Sequence, residues 1–423
     1  MLALRLLARR RLPPALRHRD FRRLWLGVLA SGVAEEMLAV AVGWQVYAIH
    51  RSALDLGLIG LAAFVPLPLL ALPAGQLADR LPRTAVFAGS LAMEGVVAAL
   101  LLTVTLTGAH RLWPFVSLAA LTGAAGAFGS PAARALAPEL VPGDLLAGAL
   151  ALRSIAYQVA TVSGPAVGGL LFAVRPELVY AVALGLSLLG AAMILRVAHD
   201  EVAEPAAVEP PPKLESLLVG IRFIRETPVI FGAILLDLVA VLFGGAVALL
   251  PLYARTILHT GPVGLGVLRS APAVGALVAG IRLARRPLGG RAGRTLLVVV
   301  AGFGVCMVVF GLSRWFALSA VALAASGFVD MFSMNIRSTT VAFATPNEVR
   351  GRVNAVEWVF ISASNELGAF ESGAAAALVG AVPAVVAGGA LTIAFAAVWG
   401  RFFPSLASVD RMEDLVPRRA EAA

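Results

Sequence analysis

The 423 residues are 59% hydrophobic and only 14% charged, with a mean hydropathy of +0.88. A soluble domain carries about 25% charged residues, so this composition excludes a water-covered surface and suits a chain whose main solvent is lipid. The net charge of +9 is spread in short clusters between apolar runs, which excludes a basic nucleic-acid-binding domain.

Taken from the start, Met1–Arg23 is strongly basic and leads into one long apolar run, which reads as a cytoplasmic segment and a membrane helix, not a cleaved signal peptide. At about 20 residues per crossing, the expected crossings are 24–48, 57–78, 85–107, 113–133, 145–173, 177–197, 229–253, 262–284, 293–312, 315–337, 351–379 and 381–403. The runs are helix-length and rich in Leu and Ala, unlike the ten-residue alternation of a membrane β-barrel. The weakest boundary is the last, where only Val379–Pro383 separates two crossings. Most of the 34 Lys and Arg fall in segments on one side of such a path, as the positive-inside bias requires with both termini cytoplasmic. Trp25, Trp113, Trp315 and Trp399 fall near expected helix ends, where indoles favour the headgroup zone. Pro66, Pro68 and Pro73 mark kinks in the second crossing. Cys306, the single cysteine, sits in an apolar run as packing filler.

The expected organisation is an N-terminal bundle over 1–198, a cytoplasmic linker over 199–228, a C-terminal bundle over 229–403 and a short polar, mobile tail over 404–423. Within the linker, Leu217, Leu218, Ile221 and Ile224 recur at helical spacing with Arg222 and Arg225 elsewhere, an amphipathic helix along the cytoplasmic interface.

After the second crossing the chain reads Gly75-Gln76-Leu77-Ala78-Asp79-Arg80-Leu81-Pro82-Arg83-Thr84. This resembles the loop signature of the major facilitator superfamily, with Pro82 in place of a glycine and Thr84 in place of a basic residue. Gly75 permits close helix approach, and Asp79 can accept from Arg83 or from a helix N-terminus; the plainer reading is that Arg80 and Arg83 only anchor topology. The fifth crossing carries Gly164-Pro165-Ala166-Val167-Gly168-Gly169, similar to the antiporter signature of the same superfamily, where small-residue packing is the rival reading. Phe128–Pro131, Ala137–Pro142, Ala248–Tyr253, Arg350–Val356 and Ser362–Gly368 resemble the bacterial subgroup that includes the enterobactin exporter. The second-half counterpart of the loop, Arg285–Arg294, is basic and contains glycine but no aspartate. The resemblance implies an all-α membrane fold of twelve helices in two six-helix bundles, a central substrate cavity and a cytoplasmic gate drawn from Gly75, Asp79, Arg80, Arg83, Arg134, Glu139, Arg337, Arg350 and Arg352.

Ionisable groups at membrane depth are costly and therefore point to function. Glu35 and Glu36 lie mid-way along the first crossing; two close carboxylates share a proton readily, and the sequence does not order them. Asp237, Asp330 and Glu357 are the other proton-coupling candidates, and Glu94 is as easily a structural partner. Arg337 is expected near the cytoplasmic end, paired with Glu139, Glu348 or another loop acid. In the eleventh crossing Asn354 and Asn365 lie about 20° apart in helical projection, so Asn354, Glu357, Asn365 and Glu371 form one polar stripe while Glu366 needs another partner. Trp44, Gln45, Tyr47, Tyr157 and Gln158 complete the cavity candidates, suited to an amphipathic organic ligand.

No metal, nucleotide-binding or protease motif is present in the sequence, so no cofactor, metal or enzyme activity is expected. The leading expectation is proton-coupled efflux of a small siderophore-like or drug-like compound across a bacterial inner membrane by a monomer in contact with lipid. Uptake of a metabolite and a non-transporting receptor or scaffold stay open as alternatives.

Overall fold

The structure, a computed structural model, describes residues 12–197, 214–286 and 288–415. After a one-turn helix over Pro14–Arg17 come α1 (Arg19–His50), α2 (Ala53–Phe64), α3 (Pro66–Arg80), α4 (Arg83–Leu106), α5 (Leu112–Glu139), α6 (Leu146–Val174) and α7 (Pro176–Leu195). They are followed by α8 (Leu214–Glu226), α9 (Pro228–Gly244), α10 (Pro262–Arg285), α11 (Ala292–Leu312), α12 (Phe316–Ala344), α13 (Asn347–Val379), α14 (Ala381–Phe402) and the single turn α15 (Pro404–Ala407). Proline opens α3, α7, α9 and α10, where its fixed φ suits the first turn and its missing N–H costs nothing.

Among the described residues eleven spans are long and apolar enough to cross a membrane, by length and composition. The helix outside that set is α13, 33 residues long and studded with Glu348, Arg350, Arg352, Glu357, Glu366 and Glu371. The narrow boundary before α14 is a single residue: Gly380, at φ 93°, ends one helix and starts the next in a conformation that a side chain would strain.

Contacts divide the chain into two compact units, Met1–Ile49 with Val65–Val208, and His50–Phe64 with Glu209–Ala423. The second crossing is therefore shared. Its first half, α2, packs on α13 within the second unit, where a Cβ on Gly57 would stand 3.1 Å from the Phe370 carbonyl and one on Gly373 2.8 Å from that of Ala53. Its second half, α3, packs on α5 in the first unit. The break falls at Val65, ahead of Pro66.

The first unit is centred on Phe21, Leu24, Leu91, Leu136 and Ile194, all almost wholly buried. In the second, α11 and α14 close on each other through Gly304 and Gly389, and Trp399 stacks on Phe403. Tyr253, at the end of the Ala248–Tyr253 motif, is fully buried and donates to the carbonyls of Gly311 and Ala381, tying together the end of α11 and the start of α14.

Two expectations need correction. The linker helix α8 does not simply lie on an interface: Gly220 closes on the Arg352 carbonyl and Ile224 is buried with Val349, Val353 and Val356 of α13. Leu218 and Ile221 stay exposed, and the side chain of Leu217 lies outside the described residues, as does the acidic stretch before α8. The segment from Pro404 to Leu415 is not a free tail, because Leu406 and Val409 are buried and the backbone pairs with the start of α11. All four tryptophans lie near helix ends: Trp113 and Trp315 are exposed at helix starts, and Trp25 and Trp399 donate their indole N–H to the carbonyls of Leu152 and Gly232.

Candidate functional site

In the first unit the glycine motif of α6 sets the position of the acidic residues on α1. Gly164 and Gly168 are buried, and a Cβ at Gly164 would lie 2.6 Å from the Glu36 Cβ, while one at Gly168 would lie 2.9 Å from the Met37 Cα. The two helices touch backbone to backbone, which only glycine allows. Pro165 and Gly169 are buried in the same stretch. Glu36 is thereby half-buried against α6, while Glu35 is exposed. Glu35 also acts electrostatically on Glu94 of α4, and both Glu35 and Glu36 act on Tyr157 of α6. With Tyr157 two-thirds exposed and Glu35 exposed, the accessible edge of this acidic cluster is a carboxylate and a phenol, while Glu36 and Glu94 are half-buried behind them.

Arg153, one turn before Tyr157, interacts with Arg134 of α5. The sequence reading left Arg153 out, although an arginine inside an expected crossing was signal enough.

The remaining candidates of this unit divide. The Gln45 amide is engaged by Thr105 at 3.1 Å and by the buried Tyr180 hydroxyl at 2.6 Å, so it locks α1, α4 and α7 together. Tyr47 is buried, and Trp44 and Gln158 are half-buried. Among the gate candidates Arg83 pairs with Glu139, which joins the start of α4 to the end of α5. Asp79, the partner first expected for Arg83, and Gly75 sit on α3 with side chains outside the described residues, and Arg80 is exposed. Arg134 donates to the Ser130 carbonyl at 3.2 Å, one turn back on its own helix.

The second unit holds a different arrangement. Arg337 of α12 forms an ion pair with Asp237 of α9, with side chains only 9% and 8% exposed. Glu357 of α13 acts electrostatically on the same guanidinium. The Arg337 Nε–H is buried without an acceptor among the described residues. This corrects the expectation that Arg337 pairs with a loop acid. The helix continues to Ala344 instead of ending at 337, which puts the guanidinium about two turns inside. One cation thus serves two carboxylates, and the group is neutral only with one proton bound.

Along α13, Asn354 and Asn365 are both exposed, and Asn365 donates to the Ile361 carbonyl at 3.0 Å. Glu357 and Glu371 are half-buried. Glu366 has its partner: Arg269 acts on it, and a Cβ at Gly60 of α2 would lie 3.4 Å from its Oε2. Asp330 is exposed on α12, two turns before Arg337. Arg350 donates to the carbonyls of Ala342 and Thr345, both at 3.3 Å, and so caps the end of α12. Arg352 is half-buried, its carbonyl covered by Gly220. No group of three or more His, Cys, Asp or Glu among the described residues is arranged to hold a metal ion.

Residues 12–419 match the family MFS_3, described as transmembrane secretion effector. The chain is 27% identical over 346 residues to the enterobactin exporter EntS of Shigella dysenteriae, and 28% identical to that of Citrobacter koseri, each match covering 80% of both chains. Among solved structures it resembles a bacterial homologue of the human lysosomal transporter Spinster in an inward-facing, unoccupied conformation, at a TM-score of 0.72 and 13% identity over 93% of this chain and 99% of the other. A bacterial homologue of the iron transporter ferroportin gives 0.70 and 17% identity over 92% and 99%. At such identities the structures establish the fold alone. The chain belongs to the MFS transmembrane secretion effector family, as an all-α polytopic membrane protein with eleven apolar spans among the described residues, and these relatives are transporters, not enzymes.

Proposed function

We propose that this member of the secretion effector family is a proton-coupled exporter of a small amphipathic organic compound, working by alternating access in a bacterial inner membrane with both termini cytoplasmic. In this reading α13 is the eleventh crossing in chain order and brings the total to twelve, and the chain forms two six-helix bundles, 1–198 and 229–403, joined by the linker over 199–228. A helix too polar to face lipid is suited to line the substrate path, where Asn354, Glu357, Asn365 and Glu371 meet water and ligand.

The observation that carries the proposal is the buried ion pair of Asp237 and Arg337 with the half-buried Glu357 acting on the same guanidinium. A protonated Glu357 leaves Arg337 balanced by Asp237, whereas an ionised Glu357 competes for the same guanidinium. A conformation that admits water stabilises the ionised form, and one that excludes it favours the proton. Proton loss and gain thus bias two states, and a substrate that prefers one of them is coupled to the other. The acidic cluster of Glu35, Glu36 and Glu94 beside Tyr157 is a second proton-accepting surface and suits a cationic or hydrogen-bonding part of the ligand. On the cytoplasmic side the Arg83–Glu139 pair is a gate contact, exposed enough to break at small cost.

The similarity to enterobactin exporters supports export and a siderophore-like substrate class. The test uses inside-out vesicles with an imposed pH gradient, acid inside, and a radiolabelled catecholate siderophore alongside a cationic dye. Export predicts accumulation inside these vesicles that collapses with a protonophore. Accumulation only in right-side-out vesicles would establish uptake. Binding without accumulation in either orientation would point to a receptor.

A further inference from the structure

The turn between α10 and α11 carries Arg285, Arg286, Arg291 and Arg294 and no acid of its own. Its backbone is demanding. Gly290 lies at φ 151° and Arg291 at φ 55°, left-handed for a residue with a side chain, immediately before the first N–H groups of α11. Such groups have no partner within their helix.

The N–H groups of Arg291, Ala292 and Gly293 are met by the segment after α14. The Arg291 N–H donates to the Asp410 carboxylate Oδ1 at 2.7 Å, the Ala292 N–H to the Asp410 carbonyl at 3.0 Å, and the Gly293 N–H to the Val409 carbonyl at 3.0 Å. Gly293 lets the segment lie directly on the helix, because a Cβ there would collide with the Leu406 carbonyl. Leu406 is 1% exposed and packs with Leu296 and Trp399, while Leu415 reaches the clusters formed by α9, α12 and α13.

We infer that residues 404–415 form a strap that supplies the acidic group this turn lacks, with Asp410 as a positioning residue that holds the left-handed Arg291 and the start of α11. A carboxylate at a helix N-terminus is favoured by the helix dipole, and this one lies against a turn whose sequence carries only positive charge. The apolar anchors on either side keep it in place. The strap stabilises one arrangement of the helix ends it touches, so its release changes how readily the α10–α11 turn moves.

The geometry is read by labelling, which does not depend on transport, so failure of the transport reading would leave this inference standing. In a Cys306→Ala background, Gly289→Cys in the turn is reacted with a hydrophilic maleimide in purified protein, with Ala109→Cys as a remote reporter. The expected result is that Asp410→Asn speeds reaction at 289 about threefold and Asp410→Ala speeds it more. Gly293→Ala, which lifts the strap without altering charge, should do the same. The reporter at 109 should not change. If all three leave the rate at 289 unchanged, or raise both positions equally through general loosening, the role assigned to Asp410 is wrong.

Discussion

The two units meet the cost of charge inside a membrane in opposite ways. In the first, Glu35 acts on Glu94, and Glu35 and Glu36 both act on the exposed Tyr157. In the second, Asp237 and Glu357 both face Arg337, and the direct ion pair is almost wholly buried. A set of acids with an exposed member, Glu35, is tolerated because water and protons reach its edge. A buried acid is tolerated only through its cation, so that removing the cation costs far more than removing an exposed carboxylate. The difference separates a surface that meets ligand from an element that sets conformation.

The sharpest way to break this contrast is to strip the second unit of its cation. Arg337→Met should lower stability by about 3–5 kcal/mol, seen as a large fall in melting temperature in detergent. Arg337→Met with Asp237→Leu should regain most of it while remaining inactive. A single variant as stable as wild type would mean that the pair contributes nothing.

Next in size is the contact that places Glu36. Gly164→Ala pushes a methyl group into the Glu36 Cβ and should cost about 1–3 kcal/mol as overpacking. Gly185→Ala, where nothing lies within 4 Å of the added Cβ, should be neutral in the same thermal assay.

Smaller again is neutralising the accessible acids. Glu36→Gln should shift melting by less than about 1 kcal/mol, yet weaken substrate binding measured by fluorescence titration. Unchanged affinity would remove the first-unit cluster from the ligand path. The smallest effect belongs to the half-exposed gate pair: Arg83→Gln should change stability by less than about 1 kcal/mol. A loss of several kcal/mol on unfolding would make it a structural pair instead.

Much of this was legible in the sequence, for identifiable reasons. Apolar runs of membrane length are a strong signal, so the expected crossings fall on helix, with 57–78 breaking at Val65 and 229–253 breaking at Gly245 into an irregular run up to Ile257, and with 351–379 helical but outside the apolar spans. At the Gly164-Pro165 motif the structure shows the tight helix packing that small residues allow, which does not separate the antiporter-signature reading from plain packing. Partner choice was less accessible. Arg337 was assigned to the loops because the end of α12 was placed at 337, and a two-turn error in a boundary moves a charge from headgroup to interior. Gln45 looked like a cavity residue, since nothing in sequence links it to Thr105 and Tyr180. The strap was missed because its polar composition resembles a tail, while its hold on α11 runs through backbone groups that carry no sequence signature.

The most direct test of proton coupling compares wild type with Glu357→Gln in proteoliposomes, measuring both substrate exchange at equilibrium and accumulation driven by a pH gradient. The account predicts that Glu357→Gln keeps exchange but loses gradient-driven accumulation, because the protonation step is gone while alternation persists. Accumulation at the wild-type level in Glu357→Gln would contradict it.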